Sequence, residues 1–508
     1  MSVPAISGRQ LASARSDALL VEALADLSAD FDELLFLCCS AYAELVEASV
    51  ELDAASMRGP TRELLAHQLR ASRRRYRSIE ERLHALFERT RRGAAPESLV
   101  DELSGEKAAL ADLLRAEQAL TAAVIGAGDW QSPAFLHSIE SAAGRRDGRI
   151  RAHWNDYKRD RHLDGDGYER RYVEAMVDGP PGLEALLTSC GMAAFTTVLS
   201  FLSMEGKLDG AVLAGAGLYH ESRLLLERAL PERFHVVDEG DTAALLRAID
   251  ELRPSAVFLD SVSNTKWMPV PDLPRVIEQL QGSATYLVVD NTGLSVSCQP
   301  FALAGESVRL IVFESLLKYA QFGMDRTNAG VIVARSDDAE LLSHYREHLG
   351  TNVSDLAVHA LPRPDRRMLE RRLARLQRNA LILAERLREG GHQSAETVYP
   401  GVASHTTARA ARRLPFRGGC LSIVFAESDT SLRREHALVE AAVAEAARGG
   451  ISLLGGSSFG FNTTRIYLTA ARAECGEPFV RVAAGTEHRL EVGRLADALA
   501  AAVREVAG

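Results

Sequence analysis

Lys318 lies in the run Phe313-Glu314-Ser315-Leu316-Leu317-Lys318-Tyr319, just beyond the apolar, strand-like Leu310-Ile311-Val312. An earlier apolar run, Tyr286 to Val289, ends on Asp290. A primary amine can hold an aldehyde coenzyme as a Schiff base, and a carboxylate facing a pyridine nitrogen keeps that nitrogen protonated and the ring electron-withdrawing. The pair therefore suits pyridoxal 5'-phosphate (PLP). A lysine after a strand is also an ordinary surface position, so the neighbours must decide. Upstream, Thr188-Ser189-Cys190-Gly191-Met192-Ala193-Ala194 opens a helical pattern with small residues. Its free N–H groups and helix dipole could meet a phosphate, although the stretch also reads as an ordinary capped helix.

The elements that must position these residues fall into three sections. From Ser16 to about Ala123 the chain is rich in Ala, Leu, Glu and Arg, with Pro60 as the main interruption. Leu20, Leu24, Leu27, Phe31, Leu34, Leu35, Cys38, Tyr42 and Leu45 recur at helical steps, and further helices are predicted over about Arg62–Arg91 and Leu99–Ile125. A helical hairpin or small bundle follows, with Gly126, Gly128 and Pro133 marking its end. Short apolar runs at 211–214, 234–237, 256–259, 286–289, 310–313 and 330–334 read as buried, mainly parallel strands joined by helices. Asp290 and Ser315 then lie at carboxyl ends of strands, where ligands bind such sheets. A helix over Arg366 to Gly390, strands at 421–426, 465–469 and 480–484, and a helix over Arg489 to Val506 form an α+β section. The expected division is a helical extension over 1–127, a large α/β domain over 128–350 and a C-terminal α+β domain over 351–508.

At 508 residues and 46% hydrophobic the chain exceeds one ordinary core. Its net charge of −10 argues against a general nucleic-acid binder, and the basic clusters at Arg73–Arg77 and Arg89–Arg92 read as a solvated helix face. Six cysteines form no CxxC pair and show no metal-like spacing with histidine, so reduced thiols and no metal are expected. The sequence shows neither a secretory leader pattern nor an apolar stretch of spanning length, so a cytoplasmic protein without membrane contact is expected.

Ten short segments in order resemble landmarks of the Cys/Met-metabolism PLP enzymes, the cystathionine γ-synthase-like family. They are Tyr157-Lys158-Arg159, Ser189 to Ala194, Leu218-Tyr219, Ser263-Asn264, Val288 to Thr292, Ser315 to Tyr319, Tyr399-Pro400-Gly401, Gly418 to Ser422, Ile451-Ser452-Leu453 and Arg481 to Glu487. The resemblance covers roughly residues 150 to 508 and implies PLP fold type I with an added all-α N-terminal domain. It implies that Lys318 binds the cofactor and then shuttles protons, and that Asp290 holds the pyridine nitrogen. Tyr219 would stack on the ring and assist proton transfer, and Asn264 would lie beside the ring's phenolic oxygen. Gly191, Met192 and Ser315 would cup the phosphate. Tyr157 and Arg159 would grip that phosphate from a neighbouring subunit, so that segment 128–180 serves the neighbour's site in a homodimer or homotetramer. Arg481 would bind the substrate α-carboxylate, with Arg465 a rival and Ser452 a further substrate contact.

Leu317 stands where the family usually has Thr, and His220-Glu221 replaces its usual glycines. Phe322-Gly323-Met324-Asp325-Arg326 replaces Gly-Gly-His-Ser-Asp, and the Asn-Pro-Thr expected after Arg159 is missing. These departures are expected where substrate side chains are read, with His220 a specificity or solvent-facing residue. The implied activity is a PLP-dependent lyase or transferase acting by γ-replacement or γ-elimination on an amino acid with a γ leaving group, an unusual amino acid of specialised metabolism being one reading. The alternatives are a C–S β-lyase, a sulfhydrylase, or a catalytically silent binding or regulatory protein whose helices contact a partner.

Overall fold

The computed structural model describes residues 8–54, 59–91, 96–128, 163–426, 432–469 and 478–507. Pro133, Tyr157, Arg159 and Cys475 lie outside the described residues.

Three long helices, α1 (Gly8–Ala54), α2 (Pro60–Thr90) and α3 (Glu97–Gly128), pack on one another. Pro60 does not merely interrupt the pattern; it starts α2, where its fixed φ and missing N–H carry no penalty. Leu24, Leu27, Phe31, Leu34, Cys38 and Leu45 are buried along α1, meeting Leu69, Tyr76, Leu83, Leu103 and Leu110 in one apolar cluster. Gly126 falls in the last turn of α3, which ends at Gly128. It lies inside α3 against Leu356, where an added Cβ would sit 3.2 Å from Leu356 Cδ2, so glycine permits close approach to the short helix Asp355–Ala360.

The large sheet comprises β1 (Leu183–Thr188), β2 (Val212–Gly215), β3 (Phe234–Val237), β4 (Ala256–Asp260), β5 (Tyr286–Asp290), β6 (Arg309–Ser315) and β7 (Gly330–Arg335), in the order β1-β7-β6-β5-β4-β2-β3. From β6 to β3 neighbouring strands are parallel, whereas β7 runs antiparallel to both β6 and β1. The unanticipated β1 reads Leu-Glu-Ala-Leu-Leu-Thr, a composition that favours helix until pairing with β7 overrides it. The small sheet comprises β8 (Ala395–Val398), β9 (Cys420–Phe425), β10 (Leu454–Gly455), β11 (Arg465–Thr469) and β12 (Phe479–Ala483), in the order β10-β11-β12-β9-β8. It packs with the helices Arg366–Gly390, Arg433–Arg448 and Arg489–Ala507 around its own apolar core. The edge strands β8 and β10 and the helix Arg433–Arg448 were not anticipated. Two short edge strands leave too few residues for a period to emerge.

Among the described residues no helix is long and apolar enough to cross a membrane, and Cys38, Cys39, Cys190, Cys298 and Cys420 are unpaired.

Candidate active site

The carboxyl ends of β4, β5 and β6 open on a cavity of about 410 Å³. Parallel pairing puts Asp260 in register with Asp290, and Asp290 with Phe313, two residues before β6 ends at Ser315. The turn after β6 then delivers Lys318. Lys318, Asp290, Tyr219, Asn264, Gly191, Met192, Ser315 and Arg481 all line this one cavity.

Backbone geometry builds its anion-binding end. Cys190 is extended and its Sγ accepts from the Ala193 amide at 3.4 Å, capping the helix Gly191–Met204. Gly191 lies so close to β6 that an added Cβ would come 2.8 Å from Ser315 Cβ. This helix start, with the Ser315 hydroxyl beside it, is a small cradle for an anion. Thr292 ties the cradle to Asp290: its amide donates to Asp290 Oδ1 at 2.9 Å, and its Oγ1 accepts from the Ser315 amide at 2.9 Å. Burial pushes the Asp290 carboxyl up, opposed by the Thr292 hydrogen bonds and the Lys318 charge. Asp260 is pushed further by burial, then by Asp290 and Glu239, and its Oδ1 is buried without a hydrogen-bond partner.

Burial lowers the Lys318 ammonium from its ordinary value, which favours the nucleophilic free amine. Its Nζ donates to Ser458 Oγ at 2.6 Å and lies 5.3 Å from the centre of the Phe459 ring. Both partners come from the loop between β10 and β11. Tyr219, just before the helix His220–Ala229, has its phenol pushed up by burial and by Glu221, so it stays protonated at neutral pH.

Arg481 comes from the middle of β12, opposite Tyr467 on β11 and Ser422 on β9. It is 5% exposed. Its guanidinium donates to the side-chain oxygen of Asn264 and, at 3.2 Å, to the Thr265 carbonyl, while its Nε is buried without a partner. Burial pushes Tyr467 up to about 12 and Cys420 up to about 11, both opposed by the Arg481 charge.

Several expected positions fall elsewhere. Ser452 is exposed and off the cavity, because the adjacent Leu453 turns into the C-terminal core; Ser457, Ser458 and Phe459 line the cavity instead. Arg465 lies over the Phe461 ring at 3.4 Å and donates to the Ser457 carbonyl, outside the lining. His220 is also outside it. The segment 322–326 lies outside the lining: Phe322 packs on Phe36 of α1 at 5.6 Å between ring centres, the charge of Arg326 acts on Glu44, Tyr76 and Tyr168, and the charge of Asp325 acts on Lys318. Thr292 and Ser458 were overlooked. Thr292 was legible as the third residue of Asp-Asn-Thr, whereas Ser458 carries no sequence signal.

An amine, a carboxylate at a strand end, a half-buried tyrosine and a glycine cradle that a Cβ would fill match the aldehyde, ring nitrogen, ring face and phosphate of PLP. Fold and cavity together define the class of fold type I PLP proteins. The chain belongs to the Cys/Met metabolism PLP-dependent enzyme family, whose profile matches residues 130–499. It is 27% identical over 312 residues to the bifunctional enzyme flvA of Aspergillus flavus, which covers 59% of this chain and 37% of that one. It is 25% identical over 245 residues to the chloroplastic cystathionine gamma-synthase 1 of Arabidopsis thaliana, covering 47% and 42%. The chain thus spans less than half the length of these curated relatives. Its fold is shared with cystathionine gamma synthase of Xanthomonas oryzae pv. oryzae, solved with cystathionine (TM-score 0.57, 24% identity, 70% of this chain and 90% of that one). It is shared as well with CalE6, a methionine gamma lyase of Micromonospora echinospora (TM-score 0.57, 22% identity, 71% and 90%).

Proposed function

We propose that the chain is a PLP-dependent lyase or transferase that performs γ-replacement or γ-elimination on an amino acid carrying a leaving group at Cγ. The observation that carries this reading is the convergence of the Lys318 amine, the Asp290 carboxylate and the Arg481 guanidinium on one cavity. In this reading Lys318 holds the cofactor, Gly191, Met192 and Ser315 receive its phosphate, and Asp290 faces its ring nitrogen. Tyr219 covers the ring and Asn264 faces the phenolic oxygen. Bound PLP supplies an electron sink for the bonds broken at the substrate's Cα and Cβ.

Arg481 grips the substrate α-carboxylate through a planar, charge-assisted contact that engages the unpartnered Nε. This orients the Cα–H bond toward Lys318, whose lowered pKa leaves its Nζ free to take the proton. A second proton leaves Cβ, and the bond from Cγ to the leaving group breaks, with the electron pair departing on that group. A nucleophile then adds at Cγ, or the product is hydrolysed to a 2-oxo acid. A second copy of the chain supplies Tyr157 and Arg159 to the phosphate, making the working unit at least a homodimer.

The reading is tested by incubation with O-acyl homoserines, cystathionine, cysteine and halogenated amino acids in deuterated water. A four-carbon product labelled at Cβ, either a γ-substituted amino acid or a 2-oxo acid, supports γ-chemistry; a three-carbon 2-oxo acid, or label confined to Cα, contradicts it.

A further inference from the structure

The helical extension reaches the lysine. One face of α1 carries Asp26, Asp30, Asp32 and Glu33, and the helix Arg366–Gly390 faces it with Arg371, Arg372, Arg375 and Arg378. Most of this contact is docking. Asp26 accepts from both terminal nitrogens of Arg378 at 2.7 Å, and Asp32 accepts from Arg371 at 2.6 Å with both side chains more than 40% exposed. The exposed Arg371–Asp32 pair contributes little, whereas Asp26 is buried against Arg375 and Arg378.

Glu33 and Arg372 differ from these. The Arg372 side chain is 0% exposed, and its two terminal nitrogens bond different partners. Nη1 donates to Glu33 Oε1 at 2.6 Å, while Nη2 donates to the Gly460 carbonyl at 3.0 Å and to Asn462 Oδ1 at 2.8 Å. Gly460 has φ +89° and lies against the backbone of Lys318, so close that a Cβ there would meet the Lys318 carbonyl carbon at 2.7 Å. Just before it, Ser458 has φ +78°, a left-handed conformation that a serine holds only where its surroundings impose it, and this residue accepts the Lys318 hydrogen bond. Along the same turn, Phe36 of α1 packs on Phe322, itself at φ +53°, next to Gly323, against which Arg372 and Asn462 lie. Helix α1 therefore meets the lysine turn through two contacts, Phe36 directly and Glu33 by way of Arg372.

We propose that Glu33 is a positioning residue of the active site: by fixing Arg372 it sets the loop 457–462 that presents Ser458 to the Lys318 amine. The N-terminal helices are then a structural part of the reaction centre rather than an appendage. This rests on the reading of Lys318 as the cofactor lysine, but its geometric content concerns the amine alone.

The test measures that amine directly. In the cofactor-free full-length protein, the pH dependence of Lys318 acylation is followed by peptide mass mapping for wild type, Glu33→Gln, Ser458→Ala, the double variant and Asp32→Asn. Glu33→Gln is expected to move the midpoint by about half a pH unit or more, and Ser458→Ala to move it likewise. Glu33→Gln should add nothing in the Ser458→Ala background, and Asp32→Asn should match wild type. With PLP and substrate, kcat of Glu33→Gln should fall about tenfold with KM changed less. Should Glu33→Gln fail to fold in a thermal melt, Asn462→Ala cuts the same relay at its loop end and must reproduce the shift. A wild-type midpoint in Glu33→Gln, or additive shifts in the double variant, overturns the proposal. A wild type that never binds PLP sinks the cofactor-lysine reading while leaving the acylation result to decide this one.

Discussion

The guanidinium of Arg481, on the middle strand of the small sheet, donates to the side-chain oxygen of Asn264, in the loop after β4 of the large sheet. One hydrogen bond thus joins the group proposed to bind the substrate carboxylate to the group proposed to face the cofactor's phenolic oxygen. Arg481 also spends a terminal nitrogen on the Thr265 carbonyl, while its Nε is buried without a hydrogen-bond partner. Lysine cannot reproduce this division, because a single ammonium cannot hold Asn264 and present a flat edge together. Arg481→Lys is expected to raise KM for the amino acid about a hundredfold while cofactor absorbance stays near wild type. Steady-state kinetics beside a spectral titration checks this, and an unchanged KM contradicts the assignment.

Asp290 and Thr292 form a unit that also reaches Ser315. Asp290→Asn keeps the shape of the side chain but cannot carry negative charge opposite a pyridine nitrogen. The cofactor should still bind, whereas kcat should fall about a thousandfold, equivalent to about 4 kcal/mol of barrier. Retention of most activity in rapid-mixing assays would remove Asp290 from the mechanism.

Gly191 has no room for a methyl group, given the 2.8 Å approach to Ser315 Cβ. Gly191→Ala should displace the helix start from β6 and weaken PLP binding about tenfold. Equilibrium dialysis against PLP measures the change, and inorganic phosphate should lose its competition with PLP in parallel.

Beneath the site, Glu314 on β6 is buried, accepts from Ser295 Oγ at 2.7 Å and from the Tyr172 hydroxyl at 3.2 Å, and is pushed by burial to about 8. Its folded pKa lies above the unfolded carboxylate value, so the folded state binds the extra proton between the two. The stability this contributes is full at low pH and is lost as pH rises toward 8, by at most about 1.4 kcal/mol per pH unit. Glu314→Gln, neutral throughout, should therefore melt higher than wild type at pH 9, with the gap closing toward pH 5. A gap that is constant with pH would contradict a protonated Glu314.

Lys318 and Asp290 were legible in the sequence because Asp290 ends one short apolar run and Lys318 follows another within a turn, and a parallel sheet brings the carboxyl ends of its strands together whatever the loops do. The order of the landmarks located Tyr219, Asn264 and Arg481 without any geometry. Ser458 was hidden because it arrives from the other domain on a loop with no period. Glu33 was hidden because acidic residues on a long helix look solvated until the arginines of a helix hundreds of residues away are placed opposite. The segment Phe322–Arg326 was read as a change of substrate preference. In the fold Phe322 packs on Phe36 of α1 and the charge of Arg326 meets that of Glu44, while the charge of Asp325 acts on Lys318.

The account depends most on covalent attachment at a single amine. Purified protein incubated with PLP and reduced with borohydride should lose its yellow colour and carry one phosphopyridoxyl group. Digestion and mass mapping should find that group on the peptide containing Lys318, and Lys318→Ala should carry none. A group found on another lysine, or a wild type left unmodified, would contradict the central claim.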